Sequence, residues 1–249
     1  MENAVPFYTN WTFWAVVIAT LALILSQLPP LSLLFRKKKI EVEAHSLLTI
    51  SHKVGNPNIR WTLNFRNVGG VTTRVKKISC NLIRNNELVS TLNAHNYYNP
   101  SDDKQIIFSG FTLRPDEEIN YDFLFFKMFD RFENRRYKEL EAALQADLSS
   151  KRAALPDEVN EAVEADPELV RPFIEMFNNN FVLEPGEYQL QLMVDTIPSA
   201  ASYLSTFRLT IYESDSNELR RYTESFKYGS GIFFNLPNEV GVFINVEEG

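Results

Sequence analysis

Three histidines, His45, His52 and His95, and a single cysteine, Cys80, are all the chain offers to chemistry that needs an imidazole or a thiolate. His45 and His52 stand seven apart in strand-like sequence. An odd separation puts side chains on opposite faces of one strand, so the two make a poor metal-ligand pair. One thiolate cannot close a Cys/His zinc site. Cys80 sits between Ile78 and Leu82 in an apolar run, where a lone cysteine behaves as a small buried hydrophobe rather than a nucleophile. No Gly-x-Ser-x-Gly elbow, phosphate loop or Gly-x-Gly-x-x-Gly run occurs. The carboxylate pairs Asp102-Asp103, Glu117-Glu118 and Glu247-Glu248 fall in loop sequence or at the C-terminus, as solvated surface does. These observations predict a non-enzymatic protein with no catalytic residue, metal or cofactor.

Binding chemistry has better candidates. Asn93–Asp103 is rich in Asn, Tyr and His, and His95, Asn96, Tyr97 and Tyr98 form a candidate partner or ligand surface on a loop. A dense aromatic run ends in Phe129 and Phe132, which join the same candidate surface. Tyr121, Phe123 and Phe125 alternate and are assigned to the core. A charged, proline-segmented excursion of some fifty residues is longer than ordinary strand connections, and long insertions are disproportionately functional.

The elements that would position these residues are mostly short β segments. Leu47–Val54 reads as a strand stopped by the Gly55-Asn56-Pro57-Asn58 turn. Ile59–Arg66 alternates, with Ile59, Trp61, Leu63 and Phe65 on one face. Arg74–Arg84 and Glu87–Leu92 form a hairpin through Asn85-Asn86. Gln105–Leu113, Glu118–Phe126, Glu187–Asp195 and Tyr203–Glu213 follow as strands, with a short helix to Tyr222 and a final strand pair around Leu236-Pro237-Asn238. Between them the period shifts. Tyr137, Leu140, Leu144 and Leu148 recur at helical spacing, and Asp166-Pro167-Glu168 opens a further helix with Asp as cap and Pro in the first turn. The helical insertion covers about residues 128–180.

The segments LNFRNVGG (63–70), LRPDEEINYDF (113–123) and LEPGEYQLQLMV (183–194) resemble bacterial immunoglobulin-like sandwich modules. The resemblance implies a mainly β chain folded as an antiparallel Ig-like β-sandwich over residues 40–249. Tyr188 takes the place of that fold's corner tyrosine, whose hydroxyl bonds back to the preceding turn. Asp116 replaces the usual turn glycine in one copy, and no cysteine pair is present. The resemblance concerns architecture alone.

Trp11–Phe35 carries no charged side chain and is followed by Arg36, Lys37, Lys38 and Lys39. This pattern predicts a transmembrane helix over 11–35, with Trp11 and Trp14 as one interfacial anchor and Arg36–Lys39 as a basic cytoplasmic collar. Residues 1–10 would be a short extracytoplasmic N-terminus. The protein would then sit in the cell inner membrane as a single-pass chain, N-terminus outside and C-terminal domain cytoplasmic, with the lipid bilayer as one partner. A single cysteine agrees with a reducing compartment. The chain carries 25 Lys+Arg and 32 Asp+Glu, a net of −7. With the four basic residues 36–39 and Glu2 set aside, residues 40–249 keep 21 and 31, a net of −10. That balance disfavours nucleic acid as a partner. The expected function is a membrane-anchored interaction module that recruits or senses a protein at the inner membrane, as a subunit of a bacterial stress or anti-phage assembly, with homo-oligomerisation open to it. The alternative is a receptor for a small-molecule or nucleotide signal bound by the loops at Gly55–Asn58 and Asn93–Asp103.

Overall fold

The computed structural model describes residues 10–27, 33, 35–99, 104–156 and 162–249. Its strands are β1 (Ile40–Ala44), β2 (Leu47–Lys53), β3 (Asn56–Asn67), β4 (Thr73–Arg84), β5 (Glu87–Tyr98), β6 (Gln105–Ile107), β7 (Phe111–Leu113), β8 (Glu118–Phe126), β9 (Gly186–Ile197), β10 (Tyr203–Ile211) and β11 (Val242–Glu248). All named pairings are antiparallel. The order β5-β8-β3-β2-β11-β10-β9-β4 closes on itself, because β4 also pairs with β5. The Ig-like sandwich expected from the motifs is therefore replaced by a closed eight-stranded barrel, with β1, β6 and β7 as additional strands.

The reason lies in β5. Its first half, Glu87–Asn93, pairs with β4, and its second half, Asn93–Tyr98, pairs with β8. A bulge between Ala94 and Asn96 marks the change of partner. Bulges bend and twist a strand, which lets one strand pass from one sheet to the next and close the gap between them. The sequence reading ended this strand at Leu92 and so left the two sheets open. Beyond the crossing, β4 and β5 diverge. β6 pairs with Asn96–Tyr98 and β7 with Thr73–Val75, each lying along one arm of the fork.

Alternation along the strands fills the interior. Ile59, Trp61, Leu63 and Phe65 of β3 face Phe123 and Phe125 of β8, all fully buried. Trp61 meets Phe207 edge-to-face at 4.9 Å, and Phe65 meets Phe123 at 5.6 Å. The barrel is a packed core, with its Cys80 thiol at 0% exposure and pushed far above the ordinary thiol range by burial. Tyr188 holds the start of β9, its hydroxyl 2.7 Å from the Glu184 carbonyl and 3.0 Å from that of Val182.

Helices cover one end. α2 (Arg131–Ala153) opens on an Asp130/Glu133 capping box, and α3 (Pro167–Asn180) on Asp166 with Pro167 behind it. Phe173, Met176 and Phe177 of α3 are buried; Phe173 meets Tyr137 edge-to-face, and Phe177 lies against the β2–β3 turn. That turn is two residues long, Val54-Gly55, both at positive φ, so Asn56 and Pro57 belong to β3 rather than to a four-residue loop. A Cβ at Gly55 would lie 2.5 Å from the Phe177 carbonyl oxygen, so only glycine admits this close approach. α4 (Glu213–Arg221) and a 3₁₀ turn (Tyr222–Tyr228) complete the cover. The expected final strand pair is half present. Gly229–Gly241 is an irregular segment in which Gly229, Gly231 and Gly241 all adopt positive φ, and β11 alone follows.

The N-terminal expectation is also corrected. α1 (Trp11–Gln27) is 17 residues, about 25 Å at 1.5 Å per residue, against the roughly 20 residues a bilayer core requires. Among the described residues no helix is long and apolar enough to cross a membrane. Pro29 and Pro30 lie outside the described residues. Trp11 (87% exposed) and Trp14 project from α1 without burial. The basic collar lies on the barrel instead. Arg36 pairs with Asp116 at 2.6 Å and Lys39 with Glu41 at 2.9 Å. The irregular stretch around Lys37–Lys39 runs so close to Gly69 that a Cβ there would meet the Lys37 oxygen at 2.8 Å. The single-pass inner-membrane placement, its orientation and the cytoplasmic assignment rested on that span and fall with it.

Candidate functional site

Each histidine has a structural setting. His45 lies at the kink between β1 and β2, its Nδ1 accepting from the Leu47 N–H and its carbonyl accepting from the Trp61 indole at 2.7 Å. His52 is buried among Phe177, Phe181 and Tyr222. Its Nδ1 accepts from the Gly55 N–H and its Nε2–H donates to the Leu219 carbonyl at 2.8 Å, which fixes one neutral tautomer. Burial holds its pKa below the usual histidine value, opposed by the Leu219 bond and the charge of Glu239. His95 is the extra residue of the β5 bulge. Its ring lies 4.3 Å from that of Phe126, and its Nε2 is buried without a hydrogen-bond partner among the described residues. Burial likewise lowers its pKa. Among the described residues no group of three or more His, Cys, Asp or Glu side chains could hold a metal.

The candidate surface expected on a loop is distributed instead along β5. Tyr97 faces inward, stacked on Tyr121 at 4.6 Å and beside Phe123. Asn96, opposite Leu124, and Tyr98, opposite Asp122, face outward. Phe129 stacks on Tyr137 at 5.3 Å within the helical insertion, while Phe132 is exposed at the start of α2. The structure thus sends these residues to different surroundings. Pro100–Asp103, the rest of that stretch, lies outside the described residues.

Among the described residues two clefts open on the outside of the barrel, and sequence reading found neither. The first, of about 690 Å³, lies where β10 and β11 part. These strands pair only through Phe207–Leu209 and Val246–Glu248; beyond that β10 continues beside β9, and β11 beside β2. Tyr212 and Phe243, 66% and 64% exposed, stand on its two sides. Its rim carries Glu187, Asp215 and Glu247 against a single cation, Arg208. Gln189 and Asn245 supply amides. Only spacing of outward residues on strands 187–189, 208–211 and 243–247 could have signalled it, and that spacing is the same on any half-exposed strand.

The second cleft, of about 330 Å³, lies between the outer face of β2–β3 and the irregular Gly229–Gly241 segment, which forms its roof. The floor holds Ser51 and Lys53 of β2 with Asn58 and Arg60 of β3. Arg60 is committed to Asp122 at 2.5 Å and lies over the Tyr98 ring at 4.9 Å. Lys53 lies over the Tyr137 ring at 5.0 Å, and partial burial lowers its pKa. The roof is pinned at two points and braced across itself at a third. The Tyr137 hydroxyl donates to the Ile232 carbonyl, the Ser230 hydroxyl donates to Glu239, and the Gly241 N–H donates to the Tyr222 oxygen.

No protein-family model matches the chain, and no curated protein matches it. The class that the geometry defines is an eight-stranded antiparallel barrel with a packed interior, a helical cover over one end and its clefts on the outer face.

Proposed function

We propose that the chain is a non-enzymatic binding module that takes a protein partner into the β10–β11 groove. The observation that carries this is the pair of exposed aromatic rings, Tyr212 and Phe243, flanking an open groove with a carboxylate rim. Phe243 on β11 and Tyr212 at the cap of α4 are held by the fold, and aromatic rings so held are favoured anchors of protein interfaces. Three carboxylates against one guanidinium, on a chain of net charge −7, favour a partner segment bearing Lys or Arg. The packed core supports an outer-face role over storage of a ligand inside the barrel.

Calorimetric titration with extended peptides of equal length and graded charge tests the proposal. Peptides with several Lys or Arg residues should bind, more weakly as salt rises. Phe243→Ala should weaken them by about tenfold or more at unchanged melting temperature. Equal binding of neutral and basic peptides, or indifference to Phe243→Ala, overturns the proposal.

A further inference from the structure

We propose that the cleft beneath the Gly229–Gly241 roof binds a small aromatic anion: a planar, N–H-bearing ring linked to a carboxylate or phosphate group. The site is separate from the β10–β11 groove and does not depend on its role.

The floor supplies the anion end. Ser51 pairs with Asn58 across β2–β3, so hydroxyl and amide share one row on the outer face. Lys53 lies two residues along β2 from Ser51, and Arg60 two residues along β3 from Asn58 in the opposite direction. At about 3.3 Å per residue each cation stands roughly 7 Å from the central row. Arg60 is already neutralised by Asp122. Lys53 differs: among the described residues no carboxylate lies within ion-pair distance of its ammonium, which sits over the face of Tyr137 and feels the opposed charges of Glu141 and Lys138, themselves paired with each other. An ammonium with no direct ion pair keeps its N–H donors free for an incoming anion.

The roof supplies the ring end. Phe233 and Phe234 lie 5.3 Å apart, and Phe234 is 42% exposed at the cleft. An aromatic ligand ring stacks or meets edge-on against such a platform. Asn235 and Glu239 line the same cleft. Glu239 accepts the Ser230 hydroxyl with one oxygen, leaving acceptor capacity for a ring N–H. Glu239 also repels a second negative group, so the site selects ligands with charge at one end only. A volume of about 330 Å³ falls at the small end of the range for ligand sites, roughly 300–1,000 Å³.

The test is calorimetry of the full chain with adenosine 5′-monophosphate and indole-3-acetate, using adenosine and inorganic phosphate as ring-only and charge-only controls. At least one ring-plus-charge probe should bind ten times more tightly than its controls. Lys53→Met, which keeps the stem, should remove that advantage, and Lys53→Arg should retain much of it. Phe234→Ala should weaken the ring-bearing probe alone. Phe243→Ala, in the other cleft, should change nothing here. Equal affinity of both probes and their controls, or undiminished binding by Lys53→Met at wild-type melting temperature, overturns the proposal.

Discussion

The two clefts are cut into the same kind of surface and differ in nearly everything else. Both use the outward residues of paired antiparallel strands. The β10–β11 groove exists because two strands separate, so its walls are strand edges and its rim is acidic. The smaller cleft exists because a glycine-bearing segment is held over an intact strand pair, and its floor is basic. In the first, shape follows from sheet pairing; in the second, from two side-chain bonds that anchor the roof and one that braces it internally. The groove should therefore survive changes that ruin the smaller cleft.

The sharpest way to break the contrast is Gly229→Val. Gly229 has φ +89, and a Cβ there would fall 2.2 Å from the Phe233 ring. The strained backbone and displaced ring should cost about 1–3 kcal/mol and abolish probe binding in the small cleft, while basic peptides still bind the groove. Paired titrations with a thermal melt decide it; loss of both activities in a folded variant would show that the clefts are coupled.

Tyr137→Phe should have a milder effect. It removes the hydroxyl that bonds the Ile232 carbonyl and leaves that buried acceptor unpaired, at a cost of about 1–2 kcal/mol. Amide hydrogen exchange should quicken across residues 230–240 and stay unchanged in β9–β11.

A smaller and graded loss is expected on acidification. His52 has a folded-state pKa below its unfolded value of 6.5, so the unfolded chain binds more protons in mild acid. Its contribution to stability is complete above the unfolded value and declines as pH falls through it, with a slope of at most about 1.4 kcal/mol per pH unit. Denaturant melts between about pH 7.5 and pH 5.5 should show that slope, and His52→Gln should flatten it. Because His52 joins β2 to α4 through Leu219, the loss should appear first in the helical cover.

Much of the barrel was legible in the sequence because alternation reports burial directly. Ile59, Trp61, Leu63 and Phe65 announce an inward face whether the sheet is open or closed. Closure was not legible, since it depends on which edge the second half of β5 chooses, and the bulge at His95 leaves no local signature. The Asn85-Asn86 turn was legible for the opposite reason: both residues adopt positive φ, which asparagine tolerates better than most. The N-terminal run misled because hydropathy reports greasiness without reporting where a helix stops. Both clefts depend on residues more than a hundred positions apart, such as Lys53 with Phe234, and no local pattern connects them.

Gly69 and Gly70 have a consequence for whatever is joined ahead of the barrel. Leu33, Arg36, Lys37 and Lys39 lie in the space the glycines' missing side chains leave, and Arg36 is tied down to Asp116. A fluorophore or fusion placed at the N-terminus therefore departs from one fixed point on the wall, with the length of α1 as its tether. Alanine at both glycines would release that exit point, and distance distributions from a label at Asn10 to one on β9 would broaden accordingly.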